Sequence, residues 1–211
     1  MNFKKRLSIV GSGGFAKEVL ILSKAICDKN NLDYRDHNIF LVEDGKFNTE
    51  KILGIEQLRE SEFDPEKFQA VIAIGDPVLR RKIVEKLPSN TEYAILVHPN
   101  ADLGFSNKIG EGTIITSGVI VTCNVKIGKH VHLNLNTTVG HDSIIQDFVT
   151  TAPAVNISGN CNIGLNTYVG TGAVIKENLK IEKNSVIGMG AVVVKNIDEA
   201  GTYVGNPAKK L

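Results

Sequence analysis

The chain has 211 residues, with 24 basic and 23 acidic side chains and a net charge of +1. This balance excludes a protein that holds nucleic acid or an anionic membrane mainly through a basic surface. No stretch approaches the roughly 20 apolar residues of a membrane span, and the apolar run before Gly11 is too short for a signal peptide. The three cysteines are an odd number without metal-ligand spacing, so we expect a cytoplasmic, reduced protein without a bound metal.

The first predicted elements are a strand over residues 6–10 and a helix that runs to about Cys27. Between them lies a glycine-rich turn, in which a helix N-terminus and close backbone approach favour a bound phosphate. The dinucleotide fingerprint is incomplete, because Ala16 stands where its third glycine belongs. The candidate substrate-binding residues of this turn are Gly11, Ser12, Gly13, Gly14 and Phe15.

Two further strands are predicted at residues 38–42 and 70–74. The first leads into Glu43 and Asp44, which are placed to hydrogen-bond a ribose or a base, and the second leads into Gly75. Alternating strands and helices predict a small Rossmann-like α/β domain with a parallel sheet over residues 1–96, with its ligand at the carboxyl ends of the strands. A purely structural domain with an empty glycine turn is the alternative.

From Val97 to Ile197 the sequence repeats every six residues without a break. The first position of the repeat is aliphatic in sixteen of seventeen hexads, with Thr151 as the exception. The aliphatic first positions are Val97, Leu103, Ile109, Ile115, Val121, Ile127, Leu133, Val139, Ile145, Ile157, Ile163, Val169, Ile175, Ile181, Ile187 and Val193. The fifth position is mostly small. Neither a helix nor a simple alternating strand has this period, which is typical of a β-solenoid.

Three hexads make one coil of a triangular prism, with a short strand on each face and a turn at each corner. The aliphatic residue points inward, and Gly or Asn suits the tight turns. No coil buries its own apolar face, so only the stack is stable. We therefore predict an all-β domain over residues 97–211 with almost six coils. An irregular β-sandwich is the alternative, but it rarely keeps such a strict phase.

These features together resemble a known family. The hexads, the ending Val204-Gly205-Asn206-Pro207-Ala208-Lys209, the glycine turn and the segment Val139-Gly140-His141-Asp142 are similar to those of bacterial sugar acetyltransferases. These enzymes are related to sialic acid O-acetyltransferase and nucleotide-4-amino-sugar N-acetyltransferase. The resemblance implies a left-handed parallel β-helix and a homotrimer with acetyl-CoA between neighbouring prisms. It also implies a nucleotide-linked sugar on the N-terminal domain.

The resemblance also implies the catalytic residues. His141 matches the catalytic base of the family, and histidine, with an unperturbed pKa of about 6.5, suits proton transfer near neutral pH. Asp142 matches the acidic partner, which is usually Glu, and would fix the tautomer of the imidazole. His130 and His132 occupy other hexad positions without an adjacent acid, so they are not expected to act as the base.

Acetyl-CoA is the expected acyl donor. Thr171 and Met189 match positions that line the acetyl-CoA cleft, and their spacing of 18 residues places them at one corner of successive coils. Thr150 matches a position where amino-sugar members often carry a second cofactor-contacting His. Phe15 likewise replaces a His of the family's glycine turn. Both departures bear on the identity of the sugar nucleotide.

The favoured function is N-acetylation of a nucleotide-linked amino sugar, and O-acetylation of a sugar such as sialic acid is the first alternative. A non-catalytic sugar-nucleotide-binding scaffold is another. Carbonic anhydrases of the hexapeptide-repeat class bind zinc through three histidines, which should lie multiples of about 18 residues apart on one corner. The histidines here fail that test, being separated for example by 9 residues between His132 and His141.

Overall fold

The computed structural model describes residues 5–211. Its N-terminal part is a four-stranded parallel sheet in the order β3-β2-β1-β4. The strands are β1 (Arg6–Val10), β2 (Asn38–Val42), β3 (Gln57–Arg59) and β4 (Phe68–Ile72), and the helices are α1 (Gly14–Lys29), α2 (Tyr34–His37) and α3 (Pro77–Lys86). Short 3-10 turns occupy Asp44–Lys46 and Glu60–Glu62. The predicted parallel α/β architecture is confirmed, although the edge strand β3 was not foreseen.

The ends of two strands lead directly into helices, as the sequence predicts. After β1 the glycine turn opens α1, whose N-cap Gly13 has no side-chain cap. After β4, Asp76 caps α3 by accepting a hydrogen bond from the Leu79 N–H at 2.8 Å, and Pro77 fills the first turn, where its missing N–H costs nothing. Both helix N-termini therefore lie at the carboxyl edge of the sheet.

The second part is a parallel β-helix with three faces. Face 1 contains six stacked two-residue strands, face 2 six and face 3 five, and every strand pairs in parallel with the one 18 residues away. Face 1 consists of β5 (Leu96–Val97), β8 (Ile114–Ile115), β11 (His132–Leu133), β14 (Thr150–Thr151), β17 (Tyr168–Val169) and β20 (Val186–Ile187). Face 2 consists of β6 (Asp102–Leu103), β9 (Ile120–Val121), β12 (Thr138–Val139), β15 (Asn156–Ile157), β18 (Val174–Ile175) and β21 (Val192–Val193). Face 3 consists of β7 (Lys108–Ile109), β10 (Lys126–Ile127), β13 (Ile144–Ile145), β16 (Asn162–Ile163) and β19 (Lys180–Ile181).

At the far end of the prism, β22 (Thr202–Val204) extends face 1 and pairs antiparallel with β23 (Lys209–Lys210). The inward row is buried as the period predicts, from Ile115 through Val193. Cys161 is buried among these residues. The polar exception, Thr151, is also buried, and its hydroxyl lies 3.0 Å from that of Thr137. A hydrogen bond inside the prism thus compensates for the missing aliphatic group.

The fourth position of each hexad forms the corner. Its backbone is left-handed in most coils, for example at Asn124 (φ 57°), Asn136 (φ 58°) and Asn166 (φ 58°). Asparagine tolerates this conformation better than most residues. The glycines after the aliphatic residue serve a different purpose, because they do not adopt a positive φ. A Cβ at Gly140 would lie 2.5 Å from the backbone nitrogen of Gly159 in the next coil, so close packing of the coils requires this glycine.

The two parts of the chain pack along face 1. Its outward residues Leu96, Ile114, His132 and Thr150 are all buried, and the first two belong to the apolar cluster of the N-terminal sheet and α1. The predicted boundary between residues 96 and 97 falls inside β5. The N-terminal part therefore covers four successive coils on this face.

A buried arginine holds this contact together. Arg80 of α3 donates to the backbone oxygens of Ile74 (2.8 Å), His130 (2.9 Å) and Phe148 (2.7 Å), and its Nη1 lies 3.1 Å from His132 Nδ1. Burial lowers the pKa of Arg80 to about 9, so the guanidinium stays charged at neutral pH.

Candidate active site

His141 lies at the corner between faces 2 and 3, in the turn from β12 to β13. Its side chain is 63% exposed, and its Nδ1 is 2.7 Å from Asp142 Oδ2. Asp142 has the left-handed backbone of the fourth hexad position, with φ 61°, which turns its carboxylate toward the preceding ring. The sequence-predicted pair is thus in contact, and Nε2 is left as the nitrogen that can meet a substrate.

The charge state of Asp142 follows from its contacts. The hydrogen bond with His141 and a second one from Asn124 lower the pKa of its carboxyl below the ordinary value. An ionised carboxylate only accepts hydrogen bonds, so the neutral ring is held with its proton on Nδ1. In this tautomer the Nε2 lone pair is free to take a proton.

The coil after His141 provides space for the ring. Gly159 lies 18 residues later, and a Cβ at this position would be 2.6 Å from His141 Nε2. The imidazole therefore rests against a backbone that carries no side chain. Any larger residue would displace the ring from its present position.

The predicted acetyl-CoA residues lie elsewhere. Thr171 and Met189 are exposed in successive turns of the corner between faces 1 and 2, the Thr171 carbonyl accepting from the Gly190 N–H. His141 occupies the next corner, on the far side of face 2. Within one chain the two groups are therefore on different edges of the prism.

Thr150 is placed differently from the other predicted cofactor residues. It is buried on face 1 and donates its hydroxyl hydrogen bond to the Gly75 carbonyl of the N-terminal part at 2.8 Å. Phe15 lies in the same contact, with its ring centroid 5.0 Å from that of His132. Thr150, Phe15 and the Gly75 carbonyl thus join the two parts of the chain in this structure, a role that was not foreseen.

The N-terminal part carries a cavity of about 480 Å³ at the carboxyl edge of its sheet. Four of the predicted substrate-binding residues line it: Gly11, Ser12, Gly13 and Glu43. Gly14 and Asp44 are not among its lining residues. The Asp44 carboxylate instead accepts hydrogen bonds from the Ser61 N–H (3.1 Å) and hydroxyl (3.0 Å).

Sequence reasoning missed the basic side chains at the mouth of this cavity. Lys46, Lys82 and Lys86 all contribute to its lining, and two of them form ion pairs, Lys46 with Glu43 at 2.9 Å and Lys86 with Glu60 at 2.7 Å. Lys82 and Lys86 follow one another at i, i+4 spacing on α3, which was the available signal. A glycine turn beside lysines suits an anionic ligand.

Over the described residues, no cluster of three His, Cys, Asp or Glu side chains is placed to hold a metal ion. Within the same range, no helix is long and apolar enough to cross a membrane.

Comparisons with known proteins match both parts of the chain. The family model for the PglD N-terminal domain covers residues 6–87. UDP-N-acetylbacillosamine N-acetyltransferase of Bacillus subtilis strain 168 is 31% identical over 113 residues, which make up 53% of this chain and 51% of that protein. The chain is thus aligned with about half the length of this relative.

Solved structures extend the likeness over the whole chain. WeeI from Acinetobacter baumannii AYE is 33% identical with a TM-score of 0.89, and the match covers 98% of this chain and 100% of that one. The acetyltransferase domain of PglB from Neisseria gonorrhoeae FA1090 is 28% identical with a TM-score of 0.88, covering 98% and 100%. The same domain has also been solved in complex with acetyl coenzyme A.

A small parallel α/β domain followed by a parallel β-helix is the architecture of the hexapeptide-repeat acyltransferases with a left-handed β-helix, the class that the solved structures match. Within this class, the full-length match at 33% identity and the matching N-terminal domain decide the family. The chain belongs to the PglD-like family of sugar acetyltransferases.

Proposed function

We propose that the protein transfers the acetyl group of acetyl-CoA to the amino group of a nucleotide-linked amino sugar. Its relative in Bacillus subtilis is named as a nucleotide-sugar N-acetyltransferase, and its structural relative from Neisseria gonorrhoeae binds acetyl coenzyme A. The observation that carries the proposal is the contact of His141 Nδ1 with Asp142 at 2.7 Å. This contact prepares a base at an exposed corner, as acyl transfer to an amine requires.

In the proposed reaction, the amine nitrogen of the sugar attacks the thioester carbonyl, and His141 Nε2 accepts the proton of this amine. The new C–N bond forms while the carbonyl π electrons move to oxygen. When the carbonyl re-forms, the C–S bond breaks and the electron pair leaves with sulfur. The proton on Nε2 then passes to the thiolate, so the products are the acetamido sugar and free CoA. Asp142 stabilises the intervening imidazolium.

The N-terminal cavity is the proposed site of the nucleotide. Gly11, Ser12 and Gly13 present backbone groups at the start of α1, and Glu43 stands at the end of β2. Lys82 adds a positive charge at the mouth of the cavity. A diphosphate near the turn and a ribose or base near Glu43 would satisfy both kinds of group.

A homotrimer is proposed because one chain does not bring these groups together. The N-terminal part packs on face 1, the expected acetyl-CoA residues Thr171 and Met189 lie between faces 1 and 2, and His141 lies between faces 2 and 3. A neighbouring prism would place its own corner opposite His141. Acetyl-CoA would then lie in the cleft between two chains, as the family resemblance implies.

The test is a thioester-consumption assay with purified protein, acetyl-CoA and a panel of nucleotide-linked amino sugars. We expect one or more of these amines to be acetylated, with the product carrying an amide by mass spectrometry and NMR. Matched nucleotide sugars with a hydroxyl in place of the amine form the control. Acetylation of the hydroxyl compounds or of free sialic acid alone would establish the O-acetyl alternative, and no turnover with any acceptor would support a binding scaffold.

A further inference from the structure

Asn124 lies one coil before Asp142, at the same corner of the prism. Its amide Nδ2 donates a hydrogen bond to Asp142 Oδ1 at 2.5 Å, while the other carboxylate oxygen is 2.7 Å from His141 Nδ1. We propose that Asn124 is a positioning residue, which fixes the carboxylate of Asp142 so that it orients His141 for proton transfer. This inference rests on the proposed role of His141 as the base.

The stacking of the coils explains why these two side chains meet. Asn124 and Asp142 are both left-handed, with φ 57° and 61°, and the Asp142 N–H donates to the Cys123 carbonyl at 3.1 Å. Equivalent residues in neighbouring coils therefore project in the same direction at one strand spacing, which is about 4.8 Å. This distance suits a hydrogen bond between two short side chains.

Similar contacts occur elsewhere on the prism, but between two amides. Asn160 donates to Asn178 at 2.8 Å on the same corner, and Asn166 donates to Asn184 at 3.0 Å on the corner between faces 3 and 1. At the Asn124 position the acceptor is a carboxylate. Asp142 thus occupies a position of the asparagine ladder, next to His141, and places a charged acceptor there.

The contact settles the orientation of an exposed side chain. The Asp142 side chain is 51% exposed. With only one hydrogen-bond partner, the plane of its carboxylate would not be fixed. With Asn124 on one oxygen and His141 on the other, its plane is defined. Since a carboxylate accepts and cannot donate, the amide must present its nitrogen, and the ring must present Nδ1–H. The Nε2 lone pair is then available on every turnover.

The experiment compares Asn124→Ala with Asn166→Ala in the full-length protein. Asn166 is the matched control because it has the same left-handed backbone (φ 58°) and the same kind of ladder contact on another corner. Imidazole ¹⁵N NMR reports the tautomer of His141, and the ¹³Cγ signal of Asp142 reports the titration of its carboxyl. Steady-state kinetics with acetyl-CoA give kcat and KM.

In Asn124→Ala we expect a mixture of His141 tautomers and a higher pKa of Asp142. We also expect kcat to fall about tenfold, the effect of losing one charge-assisted hydrogen bond, with the KM for acetyl-CoA unchanged. Asn166→Ala should change none of these quantities. If the alanine variant is destabilised, Asn124→Gly removes the amide without strain in the left-handed backbone.

An unchanged His141 tautomer and Asp142 titration in Asn124→Ala and Asn124→Gly would overturn the positioning role, even if activity fell. Full activity of a His141→Ala variant would overturn the proposed base instead. The NMR measurements need no turnover, so the two failures are told apart.

Discussion

Histidines occur at two neighbouring corners of the β-helix, and their surroundings differ completely. At the corner between faces 2 and 3, His141 is exposed and contacts a carboxylate. At the corner between faces 3 and 1, His130 is buried beneath the N-terminal part, stacked on Phe148 and beside Arg80. Burial, followed by the charge of Arg80, lowers the pKa of His130 to about 4. The same repeat therefore yields an accessible imidazole, the proposed base, at one corner and a neutral packing residue at the other.

The comparison indicates that contact with the N-terminal part makes one corner a packing site, while the other corner stays open to solvent. His132, on the adjoining strand, is also fully buried, and burial together with Arg80 lowers its pKa. Neither buried ring can reach a substrate, which supports the expectation that His130 and His132 are not the base. Solvent access and an acidic neighbour make the difference at His141, and each can be removed by mutation.

The largest effect is expected on turnover, when the exposed side chain of His141 is removed. His141→Ala should reduce kcat by about 10³-fold, within the range usually lost with a general base. The free energy of unfolding should change by less than about 0.5 kcal/mol, because the side chain is exposed, and the proposed trimer should persist. Turnover, urea unfolding and analytical ultracentrifugation measure the three quantities. His37→Ala, in the N-terminal part, is the control that should keep its turnover, and near-normal activity of His141→Ala would refute the assignment.

Mutation at the contact around the buried corner should instead lower the stability of the protein. Arg80→Met should lower the free energy of unfolding by about 3–5 kcal/mol, because several buried backbone oxygens lose their donor at once. Arg80→Lys retains the charge, but it cannot reach the carbonyls of separate segments with one ammonium group, so it should also be destabilised. Urea unfolding of both variants measures the loss. A change below about 1 kcal/mol in Arg80→Met would mean that the apolar contacts of face 1 hold the two parts together without the guanidinium.

Much of this architecture could be predicted from the sequence because the β-helix depends on a local pattern. Each inward position, such as Val139 or Ile157, is specified by its own hexad, and the exception Thr151 needed only a nearby hydroxyl. The His141–Asp142 contact was also predictable, since neighbouring residues at a corner remain close whatever surrounds them.

The contact between the N-terminal part and face 1 could not be predicted from the sequence in the same way. Nothing in the hexad phase indicates which face is covered, so the sequence does not predict the hydrogen bond from the Thr150 hydroxyl to the Gly75 carbonyl. Glu43 and Asp44 both follow β2, and only the 3-10 turn after them directs Asp44 toward Ser61 and leaves Glu43 at the cavity. Long-range packing, which is not periodic, determines both outcomes.

The smallest expected effect is a dependence of stability on pH that comes from the buried corner. His130 has a pKa of about 4 in the folded protein, against about 6.5 when unfolded. Between these values the unfolded chain binds more protons, so stability falls as the pH falls. Lowering the pH from 7 to 5 should cost about 2 kcal/mol from this residue, and His132 acts in the same direction because its pKa is also lowered.

His130→Asn should remove the share of this dependence that comes from His130 and leave the share of His132, and asparagine tolerates the left-handed backbone of this position (φ 53°). His141→Asn is the matched control at the other corner, and it should leave the dependence in place because it does not alter the buried contact around His130. Urea unfolding at pH 7 and pH 5 compares the three proteins. If His130→Asn lost as much stability at pH 5 as the parent, the dependence would have to come from groups outside this corner. Burial of the neutral His130 ring would then not be the cause of the pH dependence of stability.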